Sequence, residues 1–574
     1  MKYAGIATLV GLLCLESSAQ VWEPTSYAIG SPTTRDIWVD AINGNNANSG
    51  ATSNLAVRTV TEAWNRIPMG IALTNGFRLR LQPGTHTSIP NYWESRYGTA
   101  AHPIILQAEG PPGSVILPDP NIFDCAYLYF LGIEFRKLAD GGDAFHLEQC
   151  QFVLLRNCTI RGYNFAHETI KVNQCQNIYI EDCDISGAGD NAVDFVAVQY
   201  GHIVRSKIHQ ANDWALYVKG GSAQILIDGN EVYDAGTGGI TAGQGTGFEF
   251  MTNPWLHYEA YDIKIANNVI HDTEGAGLGV NGGYNILLAY NTLVRVGSRS
   301  HVIEVVHGAR GCDGNWADCE SNRLAGGWGL SVPEDDSQYI PNRNVYIYNN
   351  IVLNPPANHS QWQQFAIRGA TLPPTNSNIP SPSYGDINLQ IRGNLIWNGP
   401  TNHPVLGDST GCATNNPTCN ESQLRAENHF NTLYPHFVNL SANDFRPAIT
   451  GDIFRATTYP IPPFPGGDRP SPPLVPVGNL SNAVPRERNQ HPRHQLHRPP
   501  GAYTGGASMK MVQIEPDSVS LLAEEGYTYA LEASENGGSW TSFTTVSNAL
   551  DPLLTAPVSA GPSVQFFRAR LLPP

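Results

Sequence analysis

Residues 145–160 read FHLEQCQFVLLRNCTI, and residues 170–185 read IKVNQCQNIYIEDCDI. They are one pattern repeated after 25 residues. Cys125, Cys150 and Cys175 keep that interval, as do Cys158 and Cys183. Self-similarity at a fixed period of roughly 20–50 residues marks a solenoid. Within each repeat apolar and polar residues alternate, as in a strand with one buried face. A polar turn residue follows, then a second short strand. The phrase returns in HIVRSKIHQ, ILIDGNEVYD, IKIANNVIHD, ILLAYNTLVR, VYIYNNIVL and LQIRGNLIWN. The fold class expected is therefore all-β, a right-handed parallel β-helix solenoid.

The turn residues align as Asn157, Asp182, Ser206, Asn230, Asn268, Asn291, Asn350 and Asn394. Asn side chains stacked one coil apart can hydrogen-bond along the axis, and Asn tolerates a left-handed corner. The cysteine columns read as small apolar residues in the core. The intervals between turn residues are 25, 24, 24, 38, 23, 59 and 44, so the regular coil is about 24 residues and three coils carry insertions. The insertions are residues 245–261, 307–341 and the Pro-rich 368–386. Insertions in a solenoid emerge as loops on one face, often the binding face.

Upstream, residues 37–68 read as a strand, an Asn/Gly loop and a capping helix near Thr59 to Arg66. A solenoid needs its end covered. Downstream, Pro447 to Gly506 is dense in Pro, Arg and His and reads as irregular closing coils or a linker. Residues 508–574 read as a small separate C-terminal β module. At the start, Lys2, the apolar run Ala4 to Leu15 and Ser17-Ser18-Ala19 form a secretory signal peptide over residues 1–19. The mature chain is thus expected in the extracellular space or periplasm. No later segment has the 18 or so uninterrupted apolar residues of a membrane span. Nine cysteines follow Cys14, an odd number. Cys312 with Cys319 and Cys412 with Cys419 suit loop disulfides, which export permits. The net charge of −16 argues against nucleic acid as a partner. An acidic polymer would need a local basic patch or a bridging cation.

VDAINGNNANSG and RTVTEAW, then LQPGTH, resemble the N-terminal coils of secreted proteins in the pectate-lyase-like superfamily of right-handed β-helices. PRERNQHPRHQLHRPPGAYTGG resembles, in degraded form, their closing segment. The resemblance spans roughly residues 35–506. It implies the β-helix and a carbohydrate-active protein: a polysaccharide lyase, a glycoside hydrolase, an epimerase or a non-catalytic adhesin. GAGDNAVDF offers Asp190 and Asp194 but neither the adjacent Asp-Asp nor the Gly-His-Gly of polygalacturonase-like hydrolases. The Asp-Pro-His-Asp of mannuronan epimerases is absent.

The first strand of each coil, which lines the groove in this fold, aligns across seven coils. One outward column is His146, Lys171, Asp194, Tyr217, Thr241, Gly279 and Glu304. The next is Glu148, Asn173, Val196, Lys219, Gly243, Asn281 and Val306. Glycines there let a sugar chain approach the backbone. A lyase must remove the proton beside a uronate carboxylate, stabilise the resulting charge and protonate the leaving oxygen. Only six lysines follow the signal, and Lys219 sits mid-groove beside Tyr217. Lys219 is read as the base, with Arg299 and His301 binding the carboxylate or protonating the leaving group. Tyr217, Gln244, Asn281, Glu304, His307 and Arg310 are read as substrate contacts. Glu249, Trp255, His257 and Tyr258 of the first insertion are read as a polar and aromatic surface for sugars. Asp190, Asp194 and Asp213 suit calcium.

The reading is a monomeric, secreted polysaccharide lyase acting on an acidic, uronate-containing glycan. The alternatives are a hydrolase with a carboxylate pair drawn from Asp190, Asp194, Glu249 and Glu304, and a non-catalytic binding solenoid.

Overall fold

The computed structural model describes residues 22, 24–163, 167–330, 338–407, 410–448, 451–468, 470, 480–493, 499–504, 510–515, 518–522, 528–534, 539–547, 553–557 and 566–571. The signal segment lies outside the described residues. From Thr34 to Phe430 the chain winds into a right-handed parallel β-helix. A regular coil contributes one strand to each of three sheets: Phe145–Glu148 to the first, Gln151–Arg156 to the second and Thr159–Arg161 to the third. The three sheets hold ten, twelve and twelve strands, all parallel.

The inward column of the first sheet is Phe145, Ile170, Val193, Leu216, Ile240, Leu278 and Ile303, each fully buried. Each such side chain contributes about 1.5–3 kcal/mol through burial. Both ends of this core are closed. The helix Val60–Asn65 is capped by Thr59, whose side chain accepts from the Glu62 amide at 3.1 Å, and it seats Trp64 on Trp93. At the other end the helix Glu421–Glu427 buries Leu424.

The polar ladder lies at the corner between the second and third sheets. The Asn268 amide and Nδ2 both donate to Asn291 Oδ1 at 3.0 Å, and Nδ2 also donates to the Ile227 carbonyl. The pattern repeats through Asn350, Asn394 and Asn428. One part of the alignment shifts. Asn157 and Asp182 stand one residue ahead of the ladder, at left-handed corners with φ of 54° and 53°. Cys158 and Cys183 occupy the ladder column itself, and the Cys183 amide donates to Ser206 Oγ at 3.1 Å. Two adjacent positions per corner, one left-handed and one stacked, both suit Asn. Cys125, Cys150, Cys158, Cys175 and Cys183 are buried free thiols. Disulfides join Cys312 to Cys319 and Cys412 to Cys419.

All three insertions leave the corner between the first and second sheets. Gly245–Gly247 pairs with Gly308–Gly311, which pairs with Gln338–Ile340, and the helix Trp316–Leu324 packs outside. Together they raise a wall along one long side of the first sheet. The described part of Pro447 to Gly506 forms no closing coil. It runs back along the outside as a strap, with Tyr459, Ile461 and Phe464 packed on Tyr346 and Tyr348 of the second sheet. Arg493 lies 4.0 Å over the Tyr290 ring, and the Ala502 amide donates to Thr292 Oγ1. Tyr27, from the N-terminal arm, stacks on Tyr179 at 4.4 Å. The second sheet is thus covered outside, and the first is not strapped. Beyond residue 509, two three-stranded antiparallel sheets form the C-terminal module. Among the described residues no helix is long and apolar enough to cross a membrane.

Candidate active site

The outward face of the first sheet carries the two columns in register. Strand pairing stacks His146, Lys171, Asp194, Tyr217, Thr241, Gly279 and Glu304 in successive coils. Lys219 ends the strand Trp214–Lys219, and the left-handed Gly220 and Gly221 turn the chain away behind it. Its Nζ donates to Gln244 Oε1 at 3.1 Å and lies 4.4 Å from the Tyr217 ring centre. Lys219, Tyr217 and Gln244 therefore come together. Asn191 Nδ2 donates to the Tyr217 hydroxyl at 3.1 Å, and burial, with Asp194 beside it, pushes that phenol well up.

One coil earlier, Asp194 is wholly buried, ion-paired to Lys171 through Oδ2. Among the described residues its Oδ1 makes no geometrically formed hydrogen bond, with the Tyr217 hydroxyl as its neighbour. Burial pushes the carboxyl up, although Lys171 and Lys219 pull it down. Burial alone would lower the Lys171 ammonium; Asp194 and Glu168, the latter 2.8 Å away, outweigh that and raise it. His146 is lowered by burial, so its ring is neutral near pH 7, and Nε2 lies 3.4 Å from Asn173 Nδ2. Lys171, His146 and Asn173 stood in the aligned columns without a role; Lys171 and Asn173 lie two coils before Lys219 and His146 three.

The corner facing the wall forms a ridge. Asp143, Glu168, Asp190 and Asp213 follow one another there in successive coils. Ligand atoms of Asp143, His167 and Glu168 lie within 4.8 Å of one another. Burial, then the neighbouring Glu168 and Asp213 charges, push the Asp190 carboxyl up. Corner residues fall between the alternating strands, so the sequence pattern reveals only Asp190 and Asp213 of this set. Asp194 does not join them as a metal ligand, because it is sealed beneath Lys171.

Several other expected contacts lie elsewhere. Arg299 stays on the ridge, 61% exposed, pairing with Glu274 at 2.6 Å. It does not reach the sheet face. His301 is three coils beyond Lys219, roughly 14 Å at about 4.8 Å per coil, with Nδ1 3.8 Å from Glu304. That separation is too great for both to act on one bond. Asn281, two coils beyond Lys219, accepts from Thr241 Oγ1 at 3.1 Å. His307 is buried behind the wall, its pKa lowered by burial.

Arg310 is fully buried, ion-paired to Glu259 and donating to the carbonyls of Leu256, His257 and Trp328. It fastens the wall and has no open face for a sugar. Glu249 accepts from the Asp313 and Asn315 amides, so it too is a wall fastener. Trp255 and Tyr258 pack with Tyr261, Tyr284 and Trp328 beneath the insertion, and His257 stands edge-on to Trp328. These aromatics plug the wall from inside. Asp313, which drew no notice in sequence, sits near Lys219 and Glu249; burial and the Glu249 charge push its carboxyl up.

Residues 143–315 match the family model described as a right-handed β-helix region. The chain has the right-handed parallel β-helix fold. No curated protein sequence matches it. Among solved structures it is similar to a rhamnogalacturonan lyase at 13% identity and TM-score 0.39, covering 63% of this chain and 87% of that one. Pectate lyase Pel9A is similar at 13% identity and TM-score 0.35, covering 78% and 97%. The A-module of the Azotobacter vinelandii mannuronan C-5 epimerase AlgE6 is similar at 14% identity and TM-score 0.34, covering 58% and 88%.

Proposed function

We propose that this β-helix is an exported polysaccharide lyase that cleaves a uronate-containing glycan by β-elimination. The observation that supports it is Lys219 on the unstrapped sheet face, held by Gln244 and the Tyr217 ring between the wall and an acidic ridge. Lys219 takes the proton from the carbon bearing the uronate carboxylate. The released electron pair forms the ring double bond as the glycosidic oxygen leaves from the adjacent carbon and takes up a proton, from water or from the Lys219 ammonium just formed. A positioned base of this kind supplies roughly 10²–10⁴-fold of the rate. The loop disulfide Cys312–Cys319 suits an oxidising compartment outside the cytosol.

The charge around Lys219 is net negative, because Lys171 is balanced by Asp194 and Glu168 while Asp190, Asp213 and Asp313 add carboxylates. A uronate there needs a counter-charge. On the ridge Asp143, His167 and Glu168 bring ligand atoms within 4.8 Å of one another, and Asp190 and Asp213 continue the row of hard oxygen donors suited to calcium. When bound, calcium would neutralise the ridge and the substrate carboxylate together.

The hydrolase alternative fits less well. Asp194 and Glu304 are four coils apart, roughly 19 Å, against the roughly 5–9.5 Å that a carboxylate pair requires. Glu249 is bonded into the wall. The test is a panel of uronate polymers, assayed for the ultraviolet absorbance of the unsaturated product with calcium and with chelator. A rise with calcium that chelator abolishes is expected. New reducing ends without any absorbance change would refute the lyase reading.

A further inference from the structure

Two cations stand on the outward face of the first sheet without an ion-pair partner among the described residues, and they share one column. Strand pairing carries Lys219 through Gly243, Asn281 and Val306 to Arg368, the residue after Ile367, which pairs with Val305. Four coils separate the two, roughly 19 Å at about 4.8 Å per coil. The other cations of this region are spent: Lys171 on Asp194 and Glu168, and Arg299 on Glu274. Arg368 is exposed and unpaired among the described residues. The carboxylates nearest it are engaged elsewhere. Glu304, one coil earlier, accepts from Ser300 Oγ at 2.5 Å and lies 3.8 Å from His301 Nδ1. Asp386, which acts with Arg368 on the His307 ring, accepts from the Cys412 amide at 2.8 Å and Asn416 Nδ2 at 3.0 Å. Toward the N-terminus the same column holds Val196, Asn173 and Glu148, so it offers a second anion nothing there.

Arg368 is set on a fixed frame. Its amide donates to the Val305 carbonyl at 3.0 Å, and the Gly369 amide donates to Thr410 Oγ1 at 2.9 Å. The third insertion returns tightly against it: a Cβ on Gly385 would stand 2.3 Å from the Arg368 carbonyl oxygen. At the ridge end of the same coil Trp362 is 49% exposed, with its ring 5.2 Å from His301 and its carbonyl accepting from Ser360 Oγ at 2.7 Å. Between the two the floor is Ala366, paired with Glu304. An indole and a planar guanidinium on either side of a flat floor suit a sugar ring that carries a carboxylate.

We propose that Arg368 and Trp362 form a second subsite for an acidic sugar, so that the protein grips one acidic glycan at two carboxylates four coils apart. The place of the reacting sugar at Lys219 rests on the lyase reading. A chain long enough to make both contacts binds more tightly than a short one, because the second contact forms at high effective concentration.

The test is calorimetric titration of the full-length Lys219→Arg protein with calcium present. Arginine keeps the charge at that position but stays protonated, so it cannot act as the base and the glycan is left uncut. The probes are trisaccharides and octasaccharides of galacturonate, mannuronate and glucuronate. For the octasaccharide that binds most tightly, Arg368→Lys, Arg368→Ala and Arg368→Glu added to that background are expected to weaken binding about threefold, about tenfold and more than about thirtyfold. Trp362→Ala is expected to weaken it about fivefold. The matching trisaccharide, too short to span both cations, is expected to change less than about twofold, and melting temperatures should match the parent. Octasaccharide affinity left intact by Arg368→Ala or Trp362→Ala would overturn the subsite. So would an equal loss for the trisaccharide, no order among the three Arg368 variants, or binding of no octasaccharide at all. The lyase reading fails separately. If wild-type protein forms no unsaturated product from any of these chains while the Arg368 series persists, the elimination chemistry is wrong and the subsite stands.

Discussion

Glu181 on the second sheet and Asp194 on the first are both buried carboxylates, and their surroundings treat them in opposite ways. On the strapped second sheet, Glu181 is saturated. It accepts from the Tyr27 amide at 2.6 Å, Arg156 Nε at 2.6 Å and His202 Nε2 at 2.8 Å. Burial would raise its pKa, but His202 and Arg156 outweigh that and hold it at about 2. On the unstrapped first sheet, Asp194 is equally buried, yet among the described residues one oxygen makes no formed hydrogen bond and its pKa is raised by burial. A saturated carboxylate fastens a strap. An unsaturated one beside two lysines marks a place where polar groups are arranged for something other than stability. Asp228, beneath the strap, is likewise buried with one oxygen unpartnered among the described residues and a pKa raised to about 6 by burial, so what sets Asp194 apart is its place beside Lys171 and Lys219 on the unstrapped face.

The sharpest way to break it is Lys219→Ala. Loss of elimination activity of about 10³-fold is expected, with the melting temperature unchanged because Lys219 is only half-buried and holds no strap. Retained activity would move the base elsewhere on the face.

Glu181 gives the next largest effect, and it acts on stability alone. Its folded pKa is depressed, so its contribution is fully present above the ordinary carboxylate range near pH 4.5. The contribution is lost as pH falls through about 2. The shift is worth about 3 kcal/mol. Urea unfolding of wild type should therefore weaken between those pH values. Glu181→Gln should start lower by a similar amount and lose most of that acid limb, with activity per folded molecule unchanged.

Smaller effects test the ladder at the corner between the second and third sheets. Asn291→Ala removes a ladder side chain that accepts from the Asn268 amide and donates to the Ile265 carbonyl, at a cost of about 1–3 kcal/mol. Cys183→Ser places a hydroxyl where Ser206 already serves one coil on, so a change of under about 1 kcal/mol is expected in the same unfolding assay.

These residues also show what was legible in the sequence. The sheet register was legible, because alternation has a period of two and the cysteine echo fixes the coil length. Hence Lys171, Asp194, Tyr217, Lys219 and Glu304 fell in their correct columns. The ladder was off by one residue at Asn157 and Asp182, since neighbouring corner positions favour the same residue type for different reasons. The insertions were opaque. Arg310 is consumed by Glu259, 51 residues away, and Trp255 packs inward against Tyr261. Neither pairing leaves a periodic trace. The acid ridge was missed in part because corners vary in length and carry no alternation.

The most direct test of the central contrast is one paired measurement of activity and thermal midpoint on Asp194→Asn and Glu181→Gln, side by side with wild type. The predicted result is a double dissociation. Asp194→Asn loses activity by at least about 100-fold and melts near wild type, whereas Glu181→Gln melts much lower and keeps its activity while folded. An active Asp194→Asn, or a Glu181→Gln that is stable but inactive, would contradict the assignment of the two faces.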